Sequence, residues 1–177
     1  MFLGTPEEPS VEPQVATADA GLFRTAMRRF ASTVSIITCN SDGCLFGMAA
    51  TAVTSLSADP PALLVCVNKT AATHRALAQG GHFCVNVLSS RHIDVARAFG
   101  GQFRGEYRFE IGDWRQDENG LPYVHDAQAN MFCAIERTME YATHTIFIAR
   151  VYSIRVLEKV DPLIFQDGMY MKTTPIL

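Results

Sequence analysis

The chain has 177 residues, 48% of them hydrophobic and 19% charged, with a formal net charge of -3. That length gives one domain with a sizeable core, the composition excludes a disordered chain, and the negative charge argues against nucleic acid as the main partner. No apolar run approaches the roughly 20 residues that cross a bilayer, so no membrane association is expected. Residues 1–18 carry acids and prolines where a secretory signal needs a basic start and an apolar stretch. They are read as a flexible N-terminal tail, with residues 19–177 as a single domain.

In chain order, Ala20 to Ala31 puts Phe23, Met27 and Phe30 on one face, which predicts a helix, with Asp19 as its N-cap. Val34 to Thr38 is β-branched and apolar, hence a strand, and Ser41-Asp42-Gly43 signals a hairpin turn. Cys44 to Asn68 joins a small-residue, hydroxyl-rich strand to an Asp59-Pro60-Pro61 turn and an almost wholly apolar strand, Ala62 to Val67. Thr70 to Gln79 predicts a helix ended by Gly80-Gly81. Phe83 to Leu88 reads as a strand, followed by a helix capped by Ser89 or Ser90 and reaching Phe99. Glu118-Asn119-Gly120 marks a turn. Met131 to Tyr141 and Thr145 to Leu157 read as two long strands with a bend near Ala142. Six or more strands with few helices predict a mainly β, antiparallel closed barrel, which removes exposed sheet edges.

The chemistry is narrowed by what is missing. There is no GxGxxG, no P-loop, no nucleophile elbow and no carboxylate pair in an apolar setting. The five cysteines contain no CxxC and make no zinc pattern with the five histidines. Cys66, Cys84 and Cys133 lie in apolar runs, whereas Cys39 and Cys44 flank the hairpin turn. An odd count without spacing motifs points to free thiols in the cytoplasm. What remains is the segment from Gly47 to Ser57. Gly47, Ala49, Ala50, Thr51 and Ala52 leave room for a flat group, and Thr54, Ser55 and Ser57 supply hydroxyls. A tightly packed strand with no ligand is the alternative.

The order of these residues adds to that reading. GMAATAVTSLSADPP resembles the Gly-Met-Thr-Ala-Asn-Ser-Phe-Thr-Ser-Val-Ser-x-Asp-Pro-Pro signature of the short-chain flavin reductases, the reductase components of two-component flavin monooxygenases. FRTAMRRFASTVSIIT, GHFCVNVLSS and HTIFIARV resemble three further segments of that family, in the right order, from about Leu22 to Tyr170. The resemblance implies an FMN-binding split β-barrel of Greek-key type with a few peripheral helices. It also implies FMN or FAD as flavin, NADH or NADPH as hydride donor, a homodimer, and a monooxygenase that receives reduced flavin. In such proteins the flavin carries the chemistry and the protein holds the rings together. Carried over by position, Ala50, Thr51 and Ala52 would line the isoalloxazine, and Thr54 and Ser55 would hold the ribityl-phosphate side. Asn68, Lys69, Thr70 and Thr73 would form the phosphate loop. His144 would place the nicotinamide, with Arg104 and Arg108 as phosphate contacts or surface cations. Trp114 is expected in the barrel wall, and Tyr170 either closes the nicotinamide side or packs.

The chain departs from the family pattern at several positions. Ala49, Thr51 and Ala52 replace Thr, Asn and Ser, removing side-chain hydrogen bonds near the ring. Thr143 replaces the Asp before His144, so the histidine is expected to lack its orienting partner, and Ala149 stands where Gly is usual. These changes keep a second class of function open: a flavin carrier or sensor with little reductase activity.

Overall fold

The fold is that of a computed structural model, which describes residues 16–103 and 105–176. Its frame is a seven-stranded antiparallel sheet. In chain order the strands are β1 (Ser32–Thr33), β2 (Ser35–Ser41), β3 (Cys44–Ala50), β4 (Val53–Ala58), β5 (Pro61–Asn68), β6 (His82–Val87), β7 (Trp114–Gln116), β8 (Pro122–Val124), β9 (Ala129–Tyr141), β10 (His144–Val156), β11 (Ile164–Gln166) and β12 (Met169–Met171). The helices are α1 (Ala20–Met27), α2 (Ala72–Gly80) and α3 (Ile93–Arg97).

The large sheet runs β3-β2-β6-β9-β10-β5-β4. Its two edge strands are consecutive in sequence, and only Thr51 and Ala52 separate Ala50 from Val53. Three extended residues span at most about 11 Å, whereas six flat strand spacings span about 29 Å. The sheet therefore curls until its edges approach. The β9/β10 hairpin is inserted between β5 and β6, the strands that α2 connects, which is the expected Greek-key arrangement.

Local chemistry explains most boundaries. The β2/β3 hairpin turns on Asp42 and Gly43, with φ of 54° and 80°, and Ser41 pairs with Cys44. Asp19 caps α1 by accepting from the Leu22 N–H at 2.8 Å. Gly81, at φ 70°, ends α2. Glu118-Asn119-Gly120 forms the β7/β8 turn, held by Asp117, which accepts from the Asn119 and Leu121 N–H groups. One core cluster, including Ile37, Val65, Val67, Leu77, Phe83 and Phe147, fills the curled sheet, each such side chain adding about 1.5–3 kcal/mol. A second, around Leu88, Val95, Phe99 and Leu163, lies under α3 and the C-terminal strands.

Several expectations need correction. α1 stops at Met27, and its apolar face is uncovered: Phe23 and Phe30 are 61% and 62% exposed. β5 alternates, burying Leu63, Val65 and Val67 while Leu64 and Cys66 are half-buried. Neither Ser89 nor Ser90 caps α3. The helix begins after His92, which lacks a side-chain cap bond there, because Ser90 instead donates to Asp161 Oδ2 at 2.7 Å. The chain reverses near Ala142 as expected, in a tight β9/β10 turn with Ala142 at φ 46°. The expected tail falls mainly on residues 1–15, outside the described residues.

Candidate functional site

The site residues gather around the C-terminal end of β5. His144 opens β10 and pairs in register with Asn68, the last residue of β5. The Lys69 N–H donates to the Thr143 carbonyl at 3.0 Å, which ties the loop after β5 to the β9/β10 turn. On the other flank of β5, Val53 and Thr54 pair with Val65 and Leu64, and the Ala52 carbonyl accepts from the Cys66 N–H at 3.1 Å. Cys66 is two residues from Asn68, so Ala52 lies about 7 Å along the strand from the loop.

Within the loop each side chain has a distinct part. Asn68 is an organiser: its Oδ1 accepts from both the N–H and the hydroxyl of Thr70, each at 2.9 Å, the local bond that asparagine favours in turns. Lys69 Nζ lies 2.7 Å from Glu140 Oε2, and the lysine hydrogen bond holds that carboxyl below its ordinary range. Thr73 is only 2% exposed. Its hydroxyl makes no hydrogen bond among the described residues. Ala71 provides no side-chain cap for α2, leaving the first N–H groups of the helix without intrahelical partners. Backbone N–H groups, hydroxyls and one lysine suit a phosphate monoester. The residues present thus fit the phosphate end of a flavin.

His144 is exposed, and its Nδ1 lies 2.9 Å from Thr143 Oγ1. The expectation that it has no orienting partner is therefore corrected: a hydroxyl takes the place of the missing carboxylate and adds no charge. His74, which the sequence reading passed over, braces the same corner. Its Nε2 lies 2.8 Å from Thr145 Oγ1, and its ring meets Phe147 edge-on at 5.6 Å. No local pattern announces this bond; it depends on α2 packing beside β10.

The expected ring shelf is only partly assembled. Ala52, Thr54 and Ser55 are exposed. Thr51 and Thr54 line a hydroxyl-rich cleft of about 410 Å3 with Ser32, Thr33 and Ser35. Lys69 and Thr70 line a different cleft, of about 500 Å3. Ala50 is half-buried and packs against the core. Thr51 also borders a groove of about 430 Å3 beneath α1 and Phe165. Arg104 lies outside the described residues. Arg108 is turned inward: its Nη1 donates to the Gly47 carbonyl at 3.0 Å, and its guanidinium sits 4.9 Å over the Phe99 ring. Trp114 packs with Phe99 and Phe109, and Tyr170 packs with Phe165. All five cysteines are free, with burial pushing the Cys39 and Cys133 thiols up to about 12.

A family model described as a flavin reductase like domain matches residues 27–174. The chain is 41% identical over 155 residues to the reductase component of an FADH(2)-dependent resorcinol hydroxylase from a Rhizobium species, covering 86% of this chain and 87% of that protein. It is 36% identical to an FMN reductase (NADH), RutF 1, from Methylorubrum extorquens, covering 93% and 81%. Among solved structures, the NADH:FAD oxidoreductase SgcE6 of Streptomyces globisporus, in complex with NAD and FAD fragments, superposes with a TM-score of 0.82 at 30% identity, covering 89% of this chain and 94% of that one.

Proposed function

The chain belongs to the flavin reductase like domain family, and from that membership we propose that it is an oxidoreductase that reduces flavin with a nicotinamide nucleotide and supplies the reduced flavin to a separate monooxygenase. The relatives named as a reductase component and as an FMN reductase (NADH) support this reading. The second of them also supports NADH as donor, with FMN or FAD as acceptor. The observation that carries it is the meeting of three groups at the end of β5: the open Ala52 edge, the Asn68–Thr73 loop and His144.

A bound flavin supplies the hydride acceptor, as such cofactors carry the redox chemistry themselves. The protein's own residues bind and orient. Thr70, Thr73, Lys69 and the first N–H groups of α2 hold the phosphate. The chain at Thr51 and Ala52 offers backbone groups and no bulk, so a flat ring can approach. His144, steered by the Thr143 hydroxyl, places the nicotinamide; it has no carboxylate to drive a proton through it. Holding the two rings in contact accounts for much of the acceleration.

We read residues 19–177 as one domain that pairs into a homodimer. The support is the uncovered α1 face with Leu22, Phe23 and Phe30, which adjoins the Thr51 groove and would be covered by two-fold pairing. The free thiols fit the cytoplasm. No helix among the described residues is long and apolar enough to cross a membrane.

Anaerobic mixing of the protein with FMN and NADH tests the activity. Bleaching of the oxidised-flavin absorbance at a rate proportional to protein is expected. Flavin binding without bleaching would replace the reductase reading with a carrier. Sedimentation showing only a monomer near 19.5 kDa would remove the dimer.

A further inference from the structure

The lysine of the phosphate loop has a counter-charge inside the chain. Glu140 stands on β9 directly opposite Thr145 of β10, and residues paired in this way project from the same face of a hairpin. That face is turned to the start of α2. The Thr145 hydroxyl lies 2.8 Å from His74 Nε2, and Glu140 Oε2 lies 2.7 Å from Lys69 Nζ. The ion pair is a surface one, its side chains 35% and 73% exposed, and such pairs add little to a fold. The loop has other ties to hold it in place: the Lys69 N–H donates to the Thr143 carbonyl, and Asn68 Oδ1 accepts from the Thr70 N–H and hydroxyl. Glu140 therefore bears on the charge of Lys69 more than on the position of the loop.

A flavin phosphate at this loop brings about two negative charges to an ammonium group that a carboxylate already holds. The two anions seek the same cation and repel each other across it. We propose that Glu140 is an affinity-setting residue of the site: it competes with the flavin phosphate for Lys69, so that the phosphate is held weakly enough for the flavin to leave. The proposal rests on the flavin-reductase reading above. A reductase that supplies a separate monooxygenase releases reduced flavin in every cycle, and a tight grip on the phosphate slows that step, because affinity is set mainly by the rate of departure. The competition acts on the phosphate alone. Glu140 therefore also narrows the preference for FMN over riboflavin, which has the same ring and ribityl chain without the phosphate.

Glu140→Gln tests it, since the amide keeps the size of the side chain and removes its charge. Titrations followed by flavin fluorescence should show the FMN dissociation constant falling about two- to five-fold at low ionic strength, the range of an exposed ion pair. The FMN release rate should fall with it, and the difference from wild type should shrink in high salt, which screens exposed charges. Riboflavin affinity should not change. Unchanged FMN binding in Glu140→Gln would overturn the proposal, and weaker binding would overturn it by making Glu140 a support for Lys69. Equal tightening of riboflavin would overturn it by taking the phosphate out of the effect. Glu140→Gln in a Lys69→Met background should lose most of its effect on FMN; an effect of full size there would show that Lys69 is not what the two anions compete for. A wild-type protein that bound no FMN would remove the flavin reading and this inference together. FMN binding by wild type that Glu140→Gln leaves unaltered would remove this inference alone.

Discussion

Two polar regions of this barrel are built from similar residues and treated oppositely. Inside, beneath β2, β6 and β9, Asn86 is fully buried and every polar atom of its side chain is used. Its Nδ2 donates to the Ile36 carbonyl at 2.9 Å and to Thr38 Oγ1 at 3.1 Å, and its Oδ1 accepts from the Val124 N–H and from Asn130 Nδ2, each at 2.9 Å. At the end of β5 the Thr73 hydroxyl, the N–H groups of Ala72 and Thr73 and the exposed Arg75 guanidinium have no hydrogen-bond partner among the described residues. A closed network holds a fold, because low dielectric strengthens each bond and penalises each loss. An open one leaves its donors for a ligand. The contrast separates structure from function more sharply than residue type does, since threonine, asparagine and histidine occur in both.

The largest effect should come from opening the closed network. Asn86→Leu leaves the Val124 N–H without its acceptor in the core, removes one of the two acceptors of Asn130 Nδ2, and takes the side-chain donor from the Ile36 carbonyl. The expected loss is about 3–5 kcal/mol in denaturant unfolding, with flavin affinity per folded molecule unchanged. A loss below about 1 kcal/mol would mean that the network relaxes and that the contrast is overstated. At the open end the order reverses. His144→Ala should leave stability alone and raise KM for NADH roughly ten- to thirty-fold, the worth of one contact at about 1–2 kcal/mol, with flavin affinity nearly constant. A fall in kcat with a changed pH profile would instead make His144 a proton carrier. Smaller again is the effect of bulk on the shelf. Ala52→Leu, at an exposed position, should weaken FMN about ten-fold, or 1.4 kcal/mol, without lowering Tm. Ala50→Leu should lower both, because Ala50 packs against the core.

The sequence made the local features legible and left the long-range ones hidden. The Asp42-Gly43 turn, the Asp19 cap and the Gly81 stop are decided by residues within four positions, and each is found where expected. The family resemblance pointed to the loop of Asn68, Lys69, Thr70 and Thr73, and the structure sets that loop beside His144 through the Asn68 register and the Lys69 N–H bond to the Thr143 carbonyl. What the sequence hid depends on partners far along the chain. Glu140 reaches Lys69 across 71 positions, and Arg108 is drawn inward to Gly47 across 61. Gly47 itself is constrained by Phe99, since a Cβ there would meet the ring at 2.6 Å. The Thr143 hydroxyl shows the opposite error: a missing carboxylate was read as a missing partner, although a hydroxyl can hold the same ring nitrogen.

The smallest expected effect sharpens the comparison at a second closed site, through pH. His92 is 7% exposed. Its Nδ1 lies 3.1 Å from the Ser89 N–H, which donates to it, and 3.0 Å from the Ser89 hydroxyl. Its Nε2 lies 3.0 Å from Asp126 Oδ1. A backbone N–H pointing at Nδ1 requires that nitrogen to be unprotonated, so the neutral ring donates through Nε2 to Asp126. Burial lowers the His92 pKa and outweighs Asp126, which raises it, while Arg91 beside Asp126 lowers it further. The folded state therefore holds this proton less tightly than the unfolded chain, whose histidine titrates near 6.5. The contribution of His92 to stability is present in full above about pH 6.5, is lost as pH falls through that value, and levels off below the depressed folded-state pKa. Unfolding measured between pH 8 and pH 5 should show this decline. His92→Gln, which cannot titrate, should flatten it while leaving FMN affinity at pH 8 unchanged. A decline of equal slope in that variant would assign the pH dependence to other groups. A coupled loss of FMN affinity would show that this closed site and the open end of β5 are not independent.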